Sequence, residues 1–392
     1  MTKNEKISFS LIILIPFLMG LGVDLYVPSL PIITSYFHST SGISYLTVGI
    51  YMLGYGLGQA ILGPISDLHG RRKILIISAF IFLIVSFLAI FSINIAFLIF
   101  MRFLQGISIG GLGVCVRSIM VDVFYGEKLR YVSNYLTLSW SIGPIIAPFI
   151  GATLEKYFGW KSNFYLFFIY GLIIYIYILK CFKETHPNHK NKTLNNIKND
   201  LLDILKETSF TLTVILSAIG YSLVIIFNMV GPFIIEKTLN KSIEIYGYIA
   251  MFLGTAYFLG TIVNRILIKK ETEIRLIKYG ICLVSIFSFL MILINLKHSY
   301  LLVVILPVYL IFMSVGFVVP NAVSFSMGKF KDKGGIASSL FGLINGLVVF
   351  TISNLVGLFK IFHGLELGIV YLILGILSIL IFLVLKKDKS FN

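Results

Sequence analysis

Apolar runs of about 20 residues, the length that crosses ~30 Å of hydrocarbon at ~1.5 Å per residue, recur along this chain from one end to the other. Nothing else in the sequence constrains the fold as strongly. A backbone in lipid must pair its polar groups internally, which leaves only helices or a closed barrel. Barrel strands alternate in polarity and need only ~10 residues, whereas these runs are longer and uniformly apolar. Spans are expected near 8–30, 43–63, 73–91, 95–118, 131–153, 163–181, 209–233, 245–266, 275–296, 300–322, 336–358 and 365–385. The expected fold is therefore all-α, with twelve transmembrane helices and no stretch left for a sizeable soluble domain. With 58% of residues hydrophobic and 12% charged, the composition lies outside the range of soluble domains.

A net charge of +15 in a soluble protein would suggest a nucleic-acid partner; here its distribution excludes that reading. With the N-terminus inside, 24 Lys and Arg fall on the cytoplasmic side, 6 on the other and 2, Arg102 and Arg117, within spans. That asymmetry is the positive-inside rule and puts both termini in the cytoplasm. The longest polar stretch, 183–208, divides six spans from six, giving bundles over 1–182 and 209–392 joined by a cytoplasmic linker. A faint internal echo accompanies the division: a Gly and a basic cluster recur from Gly63 and from Gly260, as in transporters built from repeats. Cys115, Cys181 and Cys282 show no metal-ligand spacing or disulfide framework, and His186 and His189 sit in the linker. No phosphate-binding loop, nucleophile–base pair or metal constellation occurs, so no enzyme chemistry and no cofactor are expected. Any active transport must draw on an ion gradient.

Asp24 lies inside the first span, and a lone carboxylate there is costly and faces a water-filled path or a partner. It sits roughly 9 Å below the outer end of its span, and Arg102 roughly 10 Å below the same end of the fourth, counting ~1.5 Å per residue. The two could therefore interact directly or through water. Apart from Asp24 no acid is expected mid-span: Glu236 falls at an outer helix end, and Glu155 and Glu366 in outer loops. Arg117 is expected to snorkel to the cytoplasmic surface. Tyr51, Tyr55 and Gln59 stand four apart and share one helix face. With Tyr26, Trp140, Tyr221 and Asn228 they form a candidate aromatic cavity, although such residues also serve as plain packing.

Several motifs resemble the major facilitator superfamily. Gly63-Pro-Ile-Ser-Asp67-Leu-His-Gly70-Arg71-Arg72 matches its G-x-x-x-D-R-x-G-R-R loop at five of six fixed positions, Leu68 being the departure. Gly22-Val-Asp24-Leu-Tyr26-Val-Pro28-Ser-Leu-Pro31 is similar to the D-x-Y-x-P-x-x-P signature of the Bcr/CflA drug:proton antiporters. Arg102-Phe-Leu-Gln105-Gly106, Arg117 to Asp122 (with Val121 for an Arg), Gly143-Pro144-Ile-Ile-Ala147-Pro148-Phe-Ile-Gly151 and Glu184-Thr-His-Pro187 also resemble that family. So do Asn264, Pro320-Asn321-Ala322 and Gly335-Ile-Ala337-Ser338-Ser339. The resemblance implies two six-helix bundles and a proton-coupled exporter of small amphipathic compounds in a bacterial inner membrane, working by alternating access. It gives Asp24 a part in proton or cation binding and Arg102 a part in proton coupling. It also implies a conformational latch of Gly63, Asp67, Gly70, Arg71 and Arg72, with Asp67 facing the helix that begins near Gly335, Ala337 and Ser338. The antiporter motif of Gly143, Pro144, Ala147, Pro148 and Gly151 would seal the halves. The expected partners are a small-molecule substrate, protons and membrane lipids, with the chain a monomer. A dedicated exporter of one metabolite such as a siderophore, a non-transporting sensor or scaffold, and proton-driven uptake are the competing readings.

Overall fold

The computed structural model describes residues 1–185, 194–297, 300–330, 333–359 and 361–387; His186, Pro187 and His189 lie outside the described residues. The fold is all-α. Its helices are α1 Lys3–Asp24, α2 Leu30–Tyr36, α3 Ser41–His69, α4 Arg71–Ile90, α5 Ile95–Val123, α6 Gly126–Phe158 and α7 Lys161–Cys181. They continue with α8 Leu194–Lys206, α9 Thr208–Phe233, α10 Ile243–Leu267, α11 Glu273–Asn295, α12 Leu301–Gly328, α13 Gly334–Gly357 and α14 Gly364–Leu385. Among the described residues twelve spans are long and apolar enough to cross a membrane, one for each apolar run in the sequence. α1 and α9 begin, and α14 ends, on one face, called here the terminal face; the opposite face is the distal one.

Most helices outrun the hydrophobic stretches that announced them. α6 has 33 residues and would reach about 50 Å, well beyond ~30 Å of hydrocarbon. Glu155, expected in an outer loop because the apolar run stops near 153, is instead inside α6 and only 5% exposed. The helix continues because Lys156, Tyr157 and Phe158 are tolerable helix residues, and Gly159 at φ +78° ends it.

The first span is broken. Pro28 and Pro31 cannot donate a backbone hydrogen bond, and the chain passes from α1 through a 3-10 turn, Val27–Ser29, into α2. Asp24 is the last residue of α1. Discontinuous helices at mid-membrane carry polar backbone to the site, and here the break leaves the Gly22 carbonyl without a partner in its own helix.

The first six spans meet the last six along a seam where α3 packs on α13 and α6 on α10. At the distal face the seam is closed by Tyr45 against Phe233, with ring centroids 5.3 Å apart, by the Lys156–Glu244 ion pair, and by Gly247 against Pro148, Phe149 and Ala152. Towards the terminal face Gly63 meets the Ser339 side chain. The amphipathic helix α8 lies within the linker; its Ile204 packs with Phe210, Val214, Ile336, Ala337 and Leu340, and Asp200 and Asp203 bind Lys333.

Candidate functional site

Arg102 is fully buried, and its partners among the described residues come from the first six spans. One guanidinium nitrogen donates to the Gly22 carbonyl at 2.9 Å, the group freed by the break after α1, and another to Gln105 Oε1 at 3.0 Å. Gln105 in turn donates to Ser86 Oγ at 2.9 Å. The guanidinium carbon lies 4.3 Å from the Tyr26 ring centroid and 4.2 Å from that of Tyr51, a sandwich that favours a desolvated cation. Tyr26 is fixed by a hydroxyl contact with Thr47. Gly22 has no side chain where the Tyr51 hydroxyl sits, so a Cβ there would displace the ring. The carbonyl end of α1 adds its partial negative charge.

Asp24, two residues from that carbonyl, has a different partner. Its Oδ1 accepts a hydrogen bond of 2.6 Å from Asn228 Nδ2, on α9 across the seam. No ion pair joins Asp24 to Arg102 or to another cation among the described residues. The backbone carbonyl of Asn228 accepts from the Tyr246 hydroxyl at 3.3 Å. Asp24 is 2% and Asn228 7% exposed, so this contact is shut away from both faces. Tyr221 lies in electrostatic reach of Asp24, Tyr51 and Tyr55, and its ring tilts against Trp140 at 6.3 Å, again across the seam. Of the residues chosen from sequence, Tyr26 and Tyr51 therefore flank the base and Asn228 binds the acid, with Tyr221 in reach of the acid and Trp140 against Tyr221.

Gln59, the last of the Tyr51–Tyr55–Gln59 stripe, leads elsewhere. It is 1% exposed and takes a bond from Arg117, whose Nε also donates to the Gly113 carbonyl at 3.3 Å. Arg117, expected to snorkel to the surface, is half-buried and turned to the buried Gln59, and α5 extends to Val123, so it lies more than a turn inside the helix end. The α3 stripe thus runs from the arginine at mid-membrane to a second one nearer the terminal face.

The loop between α3 and α4 is knitted to its own half. Gly70, at φ +91°, turns the chain where a Cβ would strike the Glu184 carboxylate. That carboxylate accepts from Arg71 N at 2.9 Å and Arg72 N at 3.0 Å, capping α4. Arg71 pairs with Asp67 and with Asp122 at 3.2 Å, and Arg72 Nε donates to the Phe182 carbonyl at 2.8 Å. Asp67 thus binds Arg71, and contact with α13 is made through Gly63 and Ser339. In α6, Gly143 lies against Gly20, Gly151 against the Leu25 carbonyl, and Pro148 against Gly247, so the motif holds α6 between α1 and α10. Pro144 packs on Gly20 and Ala147 is fully buried.

The model of the Major Facilitator Superfamily matches residues 12–353. The chain belongs to that superfamily. It is a multi-pass membrane transporter by family, not an enzyme. Over 401 residues it is 25% identical to an uncharacterized MFS-type transporter, YdgK, of Bacillus subtilis, covering 99% of this chain and 98% of the relative. A multidrug resistance protein, MdtL, of Citrobacter koseri is 26% identical over 88% of this chain and 85% of its own. The crystal structure of a D-xylose–proton symporter superposes with a TM-score of 0.79 at 14% identity, covering 97% of both chains, which shows the shared fold.

Proposed function

We propose that this protein is a proton-coupled secondary transporter of the Bcr/CflA kind, exporting small amphipathic compounds across the bacterial cytoplasmic membrane by alternating access. The observation that carries the reading is the Asp24–Asn228 contact. A carboxylate that has, among the described residues, no ion pair and a neutral amide from the other half as its hydrogen-bond partner can exchange that amide for a proton or for a cationic cargo. Either exchange loosens one tie across the seam, which is how occupancy of a site is passed to a two-state structure. The aromatic flank of Trp140, Tyr221 and Tyr51 suits lipophilic cargo, and the MdtL relatives are multidrug resistance proteins by name. Arg102, enclosed by its own half, holds Tyr26, Tyr51 and the end of α1 in place and sets the field at Asp24. A polyanionic cargo would need a cation it could reach, which disfavours a siderophore.

In the same reading the latch of Gly63, Asp67, Gly70, Arg71 and Arg72 steadies one of two global states, and the α6 motif is the face on which the distal seam closes. The protein acts as a monomer with both termini in the cytoplasm, with the proton gradient as its energy source. Reconstitution into liposomes under an imposed pH gradient, with lipophilic cations, neutral antibiotics and siderophores as cargo, tests it. Gradient-driven movement of several lipophilic compounds, collapsed by a protonophore, is the expected result. Flux of one metabolite alone would point to a dedicated exporter, and no flux at all to a sensor or scaffold.

A further inference from the structure

A second buried carboxylate lies at the distal end of the seam, apart from Asp24. Glu155, on α6, is 5% exposed, and its Oε2 has no hydrogen-bond partner. Two polar side chains lie beside it. Asn163, on α7 and fully buried, donates from Nδ2 to Ser29 Oγ at 2.9 Å, and Ser29, also fully buried, neighbours Glu155. Glu155 Oε2 is left as an open acceptor next to this pair. Asn163 Oδ1, on the same amide, is a second buried acceptor with no donor. Across the seam, in the π turn Ile234–Thr238 that follows α9, Glu236 lies within electrostatic reach of Glu155.

No Lys or Arg forms an ion pair with either carboxylate among the described residues. Lys156, next to Glu155, is taken by Glu244 of α10. Lys237 lies in electrostatic reach of Glu236 and over the Phe233 ring at 5.4 Å, with its side of the turn exposed. A buried carboxylate facing a half-buried one calls for compensating positive charge. The unpaired acceptors of Glu155 and Asn163, with no ion pair to Glu155 among the described residues, ask for a small cation.

We propose that Glu155, flanked by Ser29 and Asn163 and faced by Glu236, is a second cation-binding site of this transporter, taking a proton or an alkali-metal ion as the distal seam closes. The site goes beyond the role given to Asp24 and does not depend on it. Because Ser29, Asn163 and Glu155 belong to the first six spans and Glu236 to the last six, the site is complete only when the halves meet. Cation uptake and distal closure are then linked, each favouring the other.

The test is the unfolding temperature of the full-length protein in detergent, for wild type, Glu155→Gln and Asp24→Asn. Sodium chloride is titrated against choline chloride at fixed pH, and pH is then varied at fixed sodium. Wild type and Asp24→Asn should share a cation-dependent rise that Glu155→Gln lacks. A sodium-dependent difference between wild type and Glu155→Gln identifies an alkali metal; a difference in the pH series alone identifies the proton. Ser29→Ala, which keeps the carboxylate and removes a neighbouring oxygen of the site, should need a severalfold higher cation concentration for the same rise, and serves if Glu155→Gln does not fold. An identical response in wild type, Glu155→Gln and Ser29→Ala, in both series, overturns the proposal. A response lost only in Asp24→Asn also overturns it, assigning the cation to the central site.

Discussion

Asp24 and Arg102 sit at similar depth in the bundle, yet the protein treats the two charges in opposite ways. Arg102 has a carbonyl, an amide oxygen and two aromatic faces, from α1, the break that follows it, α3 and α5. Among the described residues Asp24 has one short bond, and that bond comes from α9 in the other half. The cation is held within one half, whereas the anion is shared between the two halves, which in the proposed alternating-access cycle move apart. A charge that is fixed can tune a field; only a charge with an exchangeable partner can report what is bound.

The largest effect that would sharpen this contrast is on stability at Arg102. Arg102→Ala leaves the Gly22 carbonyl and Gln105 without their donor and should cost on the order of 3 kcal/mol, seen as a fall in unfolding free energy or in folded yield. Equal stability with lost transport would instead make Arg102 an exchangeable group and break the comparison. Asp24→Asn should do the reverse: cargo-coupled transport falls by about tenfold or more, equivalent to ~1.4 kcal/mol, with little change in unfolding temperature because an amide can still bond Asn228. Asn228→Leu strands the carboxylate. It should destabilise by about 1–3 kcal/mol and weaken the tie across the seam, so that cysteine pairs spanning α1 and α9 label more readily.

The smallest effect lies at the terminal face, where charges meet water. Asp200 and Asp203 hydrogen-bond Lys333 and hold its pKa above the ordinary lysine value. A raised folded-state pKa favours the charged form, so its contribution is complete below the ordinary lysine pKa and is lost as pH rises through the raised one. Lys333→Ala should therefore lower the unfolding temperature slightly at neutral pH, and the difference should close in strongly alkaline buffer. Solvent and salt screen such an exposed pair, and a large shift would show that α8 braces α13 far more tightly than its surface charges imply.

The spans were legible because the demand for internally paired backbone leaves a repeating apolar pattern, and each run became a helix. The break after Asp24 was written in Pro28 and Pro31, but its consequence, a freed carbonyl taken by Arg102, was not. Depth along each helix could be counted, so Asp24 and Arg102 were set at one level. Rotation about the helix axes could not be counted, and it is rotation that turns Asp24 to Asn228, 204 positions away. Glu155 was misplaced because hydropathy marks the membrane, whereas helices run past it, and a polar group near a helix end stays inside where neighbouring elements enclose it; the inward contact of Arg117 with Gln59 was hidden for the same reason. The Glu184 cap on α4 was visible as a motif, and its role needed the fold.

Proton movement triggered by cargo, followed with a pH-sensitive dye in energised inside-out vesicles, tests the central claim most directly when wild type and Asp24→Asn are compared at matched expression. Wild type should release protons on addition of a lipophilic cation, and Asp24→Asn should release none while still binding the compound. Undiminished release from Asp24→Asn would contradict the account and reduce Asp24 to a tie between helices.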